Sequence, residues 1–331
     1  MKITFKGIFQ IFVATLILSA THAEAESSFD KLDCAVTTDF AWYPKTTPVA
    51  GGTHFAPVTG IYSSLEARST LSATYRIHTP LGDHFLLNDA NVAISGLFEF
   101  TPVSIKPGAR ISFTPVPFLV FSSGAEAGTG WDFASLFTGG IAEFSSEEIE
   151  PEYNALSPFC NWFLKVYFQG TFQFDTGAIF KGDWNHVLMQ FSYQAYYQRM
   201  TGISDGEIWM WQCTGGKVNG WQEYMSALLA YQMPIVLHRA GILFESEGYY
   251  SDEAFNQEKY KNYDSDFKTI SLSPLCQFTF GKKDTLTVAA SFSSRRSFEE
   301  EHTKSTEEPI LTHDGREWYF RRIALSWAHK L

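Results

Sequence analysis

The chain has 331 residues, a net charge of −11, and is 16% aromatic but only 18% charged. The acidic balance argues against nucleic acid or any other polyanion as a partner. The pairing of many aromatics with few charges is unusual for a water-soluble secreted chain.

In chain order, Lys2 and Lys6 precede an apolar run over residues 8–20, followed by Ala23-Glu24-Ala25. A positive start, a short apolar stretch and a small-x-small site read as a secretory signal peptide over residues 1–25. The run is too short for a spanning helix, which needs roughly 20 apolar residues. No later stretch is apolar enough either, so a membrane form of this chain must be a closed barrel of strands. Residues 26–65 stay open at this level. Val36 to Tyr43 begins either an extra hairpin or a periplasmic arm or plug.

From residue 66 the apolar residues alternate with polar ones. The clearest case is 159–175, where Trp162, Leu164, Val166, Phe168, Phe172 and Phe174 share one parity and Asn161, Lys165, Gln169, Thr171, Gln173 and Asp175 the other. Successive strand side chains point to opposite faces, so one face is apolar and the other polar. The pattern predicts ten strands: 66–79, 91–105, 109–123, 159–178, 184–199, 219–233, 235–248, 267–280, 285–298 and 317–329. Short connections at 106–108, 181–183, 233–234 and 281–284 alternate with long ones at 80–90, 124–158, 200–218, 249–266 and 299–316. Pro115 and Pro117, inside a predicted strand, mark a bulge or bend.

The last strand carries Tyr319, Arg321, Ile323, Leu325 and Trp327 on one face and closes on His329-Lys330-Leu331. It resembles the C-terminal strand of bacterial outer-membrane proteins, although those usually end on an aromatic residue. That resemblance implies an all-β fold: an antiparallel up-and-down transmembrane barrel over 66–331. It would have ten strands, twelve if 26–65 adds a hairpin, with short periplasmic turns, long extracellular loops and outer-membrane lipid around it.

Six charged residues have inward parity: Glu99, Lys165, Arg239, Glu245, Arg295 and Arg322. On the lipid face Lys or Arg would cost about 2–4 kcal/mol near the midplane. Inside, the six form either a charged constriction or a salt-bridged filling. The long loop 124–158 is rich in apolar residues, among them Trp131, Phe133, Leu136, Phe137 and Phe144, and is expected to fold into the lumen or over the rim. Trp209, Trp211 and Trp221 read as a membrane-interface cluster. Cys160 and Cys213 fall on the same side of the predicted barrel, and a bridge between them is expected there.

Catalytic patterns are weak. The omptin proteases, another group of outer-membrane barrels, use Asp and His at the rim. Here Asp83-His84 and His313-Asp314 fall in neighbouring predicted loops, not across a cleft. Gly202-Ile203-Ser204-Asp205-Gly206 matches Gly-x-Ser-x-Gly but lies between strands rather than in a strand-to-helix turn. There is no CxxC, HExxH or phosphate loop, and no cofactor or metal is expected. The first expectation is a porin-like or solute-specific passive channel for small solutes. The alternative is a closed barrel serving surface interaction or structure, with a rim enzyme last.

Overall fold

The computed structural model describes residues 32–133, 139–145 and 151–331. The signal peptide, Leu136 and Phe137 lie outside the described residues.

In chain order the strands are β1 (Leu32–Thr46), β2 (His54–Phe55), β3 (Val58–His78), β4 (Asn91–Thr101), β5 (Ser104–Val116), β6 (Leu119–Gly130), β7 (Ile141–Ser145), β8 (Glu152–Ala155), β9 (Phe163–Asp175), β10 (His186–Met200), β11 (Trp209–Trp211), β12 (Thr214–Lys217), β13 (Gly220–Gln232), β14 (Leu237–Tyr249), β15 (Thr269–Phe280), β16 (Asp284–Phe298) and β17 (His313–Lys330). Twelve of them pair antiparallel in the order β1-β3-β4-β5-β6-β9-β10-β13-β14-β15-β16-β17. β1 then pairs with β17 from Ala35↔Lys330 to Trp42↔Ile323, which closes the sheet into a barrel. Closure leaves no unpaired edge for the backbone to satisfy. β2 lies parallel to β17 at one rim.

The barrel wall is inverted relative to a soluble protein. Leu164, Val166, Phe168 and Phe172 of β9 are exposed, with Phe168 at 62%, whereas Lys165, Tyr167 and Thr171 are buried. The same holds for Ile242 against Leu243 and Glu245, and for Leu272 against Ser271 and Ser273.

Twelve strands replace the expected ten for two reasons. Residues 32–46 form a full stave instead of an arm or an extra hairpin, and β3 starts at Val58. The stretch 91–130 then makes three strands, not two. The chain reverses at Pro102-Val103 and again at Pro117-Phe118, while Lys106-Pro107-Gly108, taken as a turn, lies inside β5. The β5–β6 ladder skips from Ile105↔Thr129 to Gly108↔Glu126, where Pro107 has no N–H to donate. Gly128-Thr129-Gly130 therefore ends a strand and does not open a loop.

These shifts also correct the strict sorting of connections. Residues 79–90 join β3 to β4 at the end that carries the turns 176–185, 233–236 and 281–283, and the 102–103 reversal lies at the opposite, long-loop end. Asp83-His84 and His313-Asp314 are thus at opposite ends of the barrel, so no rim pairing between them exists.

The long-loop end carries a folded cap. A four-stranded sheet in the order β12-β11-β7-β8 spans it. Two apolar clusters hold this cap. One joins Ile141, Phe163, Met200, Ile203, Trp209 and Trp211. The other joins Phe144, Ile208, Val218, Phe255, Tyr260, Tyr263 and Phe298. Trp211 stacks on Phe163 with ring centroids 4.7 Å apart. Trp209 and Trp211 are therefore cap core rather than an interface cluster; Trp221 alone of the three is exposed. Gly202 and Gly206 each have φ of +84°, which places Gly-x-Ser-x-Gly in a left-handed loop turn unlike a nucleophile elbow.

Candidate functional site: the charged lumen and its hairpin

Strand register stacks inward residues of adjacent strands side by side, so the lumen chemistry follows from parity. Around half the wall, one charge per strand alternates in sign. Asp39 on β1 accepts from Arg68 Nη2 on β3 at 2.6 Å and from Nε at 3.0 Å. Arg68 Nη1 lies 3.6 Å from Glu99 Oε2 on β4. Lys106 Nζ on β5 reaches Glu99 at 3.4 Å and Glu126 on β6 at 3.0 Å. Glu126 stands opposite Lys165 on β9 in the ladder. Lys165 Nζ sits 4.0 Å from the ring centroid of Tyr196 on β10, and the Tyr196 hydroxyl donates to Glu247 on β14. Isolated buried charges would be expensive; each is held here by a neighbour of opposite sign or by a ring face.

The seam across β15 and β16 is different. Hydroxyls and amides pair there: Ser271 with Ser293 at 2.7 Å, Ser273 with Ser291 at 2.8 Å, and Gln277 with Thr287 at 3.3 Å. Below it an apolar layer of Leu228, Ala230, Leu243, Leu275 and Ala289, packed by Leu188, fills the interior towards the turn end.

All six residues singled out from parity line the interior, but not together. Glu99 is 7% exposed and belongs to the belt, as does Lys165. Glu245 accepts from the Tyr224 hydroxyl at 2.6 Å and lines the same cavity as those two. Arg239 donates to Gln232 and Gln277, each at 2.9 Å, near the turn end. Arg295 pairs with Glu317 towards the rim and lies 4.6 Å from the Tyr319 ring centroid. Arg322 donates from Nη1 to the Tyr43 hydroxyl at 3.2 Å.

Among the residues missed are Asp39, Arg68, Lys106, Glu126 and Arg321. Lys106 had been placed in a turn and Glu126 in a loop, so neither had a parity to read. Arg321 was placed on the lipid face, but the β16–β17 register shifts between Ser291↔Arg322 and Phe292↔Phe320. A bulge at this point turns Arg321 inward beside Arg322, and both are buried.

The tip of the β11–β12 hairpin enters this wall. Gln212 Nε2 donates to Glu99 Oε1 at 2.7 Å and to Ser104 Oγ at 2.8 Å. Gln212 and Cys213 have φ of 47° and 63°, the tight left-handed reversal that points the tip downward. Beneath it lies a cavity of about 120 Å³ lined by Arg68, Lys106, Arg110, Glu126, Lys165 and Tyr196, among others. Within the described residues it is the tip of the next loop that reaches the lumen wall, with β7 of loop 124–158 pairing against its β11. Cys160 and Cys213 are not joined to each other here: Cys160 is exposed, and the Cys213 amide donates to the Gly139 carbonyl at 2.6 Å. Burial, with Glu66 and Asp132 nearby, pushes the Cys213 thiol up to about 12. Among the described residues no cluster of His, Cys, Asp and Glu is arranged to hold a metal ion.

No family model and no curated protein matches this chain. Its structural neighbours are outer-membrane barrels. The KdgM porin aligns over 90% of this chain and 99% of its own, at 8% identity and a TM-score of 0.38. An outer-membrane channel from Pseudomonas putida F1 aligns over 93% and 99%, at 8% identity and 0.45. The outer-membrane channel DcaP of Acinetobacter baumannii aligns over 91% and 96%, at 10% identity and 0.35.

Proposed function

We propose that this chain is an outer-membrane channel for small solutes, with the cap outside and the turn end in the periplasm. The observation that carries the reading is the hairpin tip seated on a wall of fixed, alternating charges above an internal cavity. Charges anchored in this way present a fixed field to a passing solute, and a loop folded against them sets the width. The lipid setting follows from the exterior. Exposed apolar side chains cover the staves, with Tyr193 and Trp221 near the cap and Trp184, Tyr231 and Trp327 near the turns. Such aromatics mark the two interfaces of a membrane barrel. The signal peptide read over residues 1–25 supports export. On this reading the solute passes by passive diffusion past the fixed charges.

The near-complete burial of the belt favours one second reading, a closed barrel whose cap serves surface interaction. Planar-bilayer recording separates the two. Stepwise currents whose ion selectivity changes in Lys165→Ala support the channel; silence at every voltage from correctly folded protein overturns it.

A further inference from the structure

At the double-arginine bulge on β17, among the described residues, a strong donor faces a cavity without a protein acceptor. Arg322 is 1% exposed, and its single hydrogen bond runs from Nη1 to Tyr43. Its Nε and Nη2 have no hydrogen-bond partner among the described residues, and neither does the buried Ser326 hydroxyl one inward position along the strand from Ala324. Arg322 and Ser326 both line a second cavity of about 40 Å³, with Asp39, Glu66, Arg68, Thr287, Leu275 and Ala289 around it. The carboxylates there are already engaged: Asp39 by Arg68, and Glu66 by the Tyr43 hydroxyl at 2.6 Å.

Arg68 shows how such an edge is filled in this barrel. Its Nε and Nη2, the same edge that is unmatched on Arg322, together grip one carboxylate. The planar fork of a guanidinium fits a carboxylate through two parallel N–H donors. Orphaned buried donors are costly and point to an absent acceptor.

We propose that Arg322, helped by Ser326 and by the second positive charge of Arg321, is a recognition site for the carboxylate of a small organic acid entering the lumen. The site stands on its own geometry; that the solute class of the channel is organic carboxylates rests on the channel reading.

The test uses the full-length folded protein in detergent, titrated calorimetrically with sodium succinate over a sodium chloride background. Wild type should give saturable heat. Arg322→Gln should weaken binding about tenfold or more, the scale of hydrogen bonds to a charged group. Arg322→Lys should recover only part, because it keeps the charge and loses the fork, and Ser326→Ala should lose less than Arg322→Gln. If Arg322→Gln fails the heat-modifiable gel shift that reports folding, Arg322→Lys and Ser326→Ala carry the test. No saturable heat with wild type, or unchanged affinity in the Arg322 variants, overturns the site. Succinate binding without bilayer current removes the channel reading and keeps the site; current without succinate binding does the reverse.

Discussion

The barrel wall and its cap are built for opposite surroundings. On the staves the large apolar side chains, such as Phe168 and Ile242, face outward and the charges face in. In the cap the order is reversed: Trp209, Phe144, Phe255 and Phe298 are buried, and the cap's ion pair Glu207–Lys259, at 2.7 Å, lies nearer the surface. One chain thus carries two hydrophobic codes, one suited to lipid and one to water. The cap holds its own core, so the hairpin that enters the lumen is positioned by aromatic packing and only tipped by polar contacts.

The largest difference between the two regions should come from breaking the belt. Lys106→Ala leaves Glu99 and Glu126 facing each other with one cation fewer, a loss of about 3–5 kcal/mol for a buried pair. Urea unfolding of the detergent-folded barrel should show it as an earlier midpoint. Phe168→Lys, on the outer face, should cost about 2–4 kcal/mol in lipid, read by the same unfolding in lipid vesicles. Gln212→Ala should cost the tip about 1.5–3 kcal/mol, the worth of a hydrogen bond to a charged group. Its readout is maleimide labelling of Cys213, which should be far slower than that of exposed Cys160 in wild type and accelerate in the variant.

The smallest effect concerns the surface of the cap. Burial works against the Glu207 carboxylate, but Lys259, with Asn256 and Tyr260, outweighs it and holds its pKa below the usual range. A depressed carboxylate contributes stability above its unfolded value and loses it as pH falls through the folded one. Lys259→Met should therefore loosen the cap by under about 1 kcal/mol at neutral pH. The difference should shrink as pH falls below the usual carboxylate range and vanish once Glu207 is protonated in the folded cap, as measured by Cys213 accessibility to a thiol reagent active in acid.

The wall was largely legible from sequence because a two-residue period survives wherever a strand has an apolar outer face and a polar inner one. Phe163–Asp175 shows this, with outward and inward residues as parity assigns them. Legibility failed where a local signal misled. Lys-Pro-Gly looks like a turn but is strand, and the true reversals at Pro102-Val103 and Pro117-Phe118 lack glycine or aspartate. The bulge at Arg321–Arg322 broke parity within a strand, which alternation alone cannot register. The cap was legible only as an apolar loop 124–158 folding into the lumen or over the rim, because its packing joins β7, β11 and residues 250–268 across long separations in the chain.

The most direct test of the account replaces Met210–Gly216 by a short Gly-Ser-Gly link and compares single-channel conductance with wild type in the same planar bilayer. If the hairpin tip narrows a solute path through the charged lumen, the shortened protein should pass a clearly larger current per step, with folding confirmed by the heat-modifiable gel shift. Equal conductance in both, or silence in both, contradicts the account.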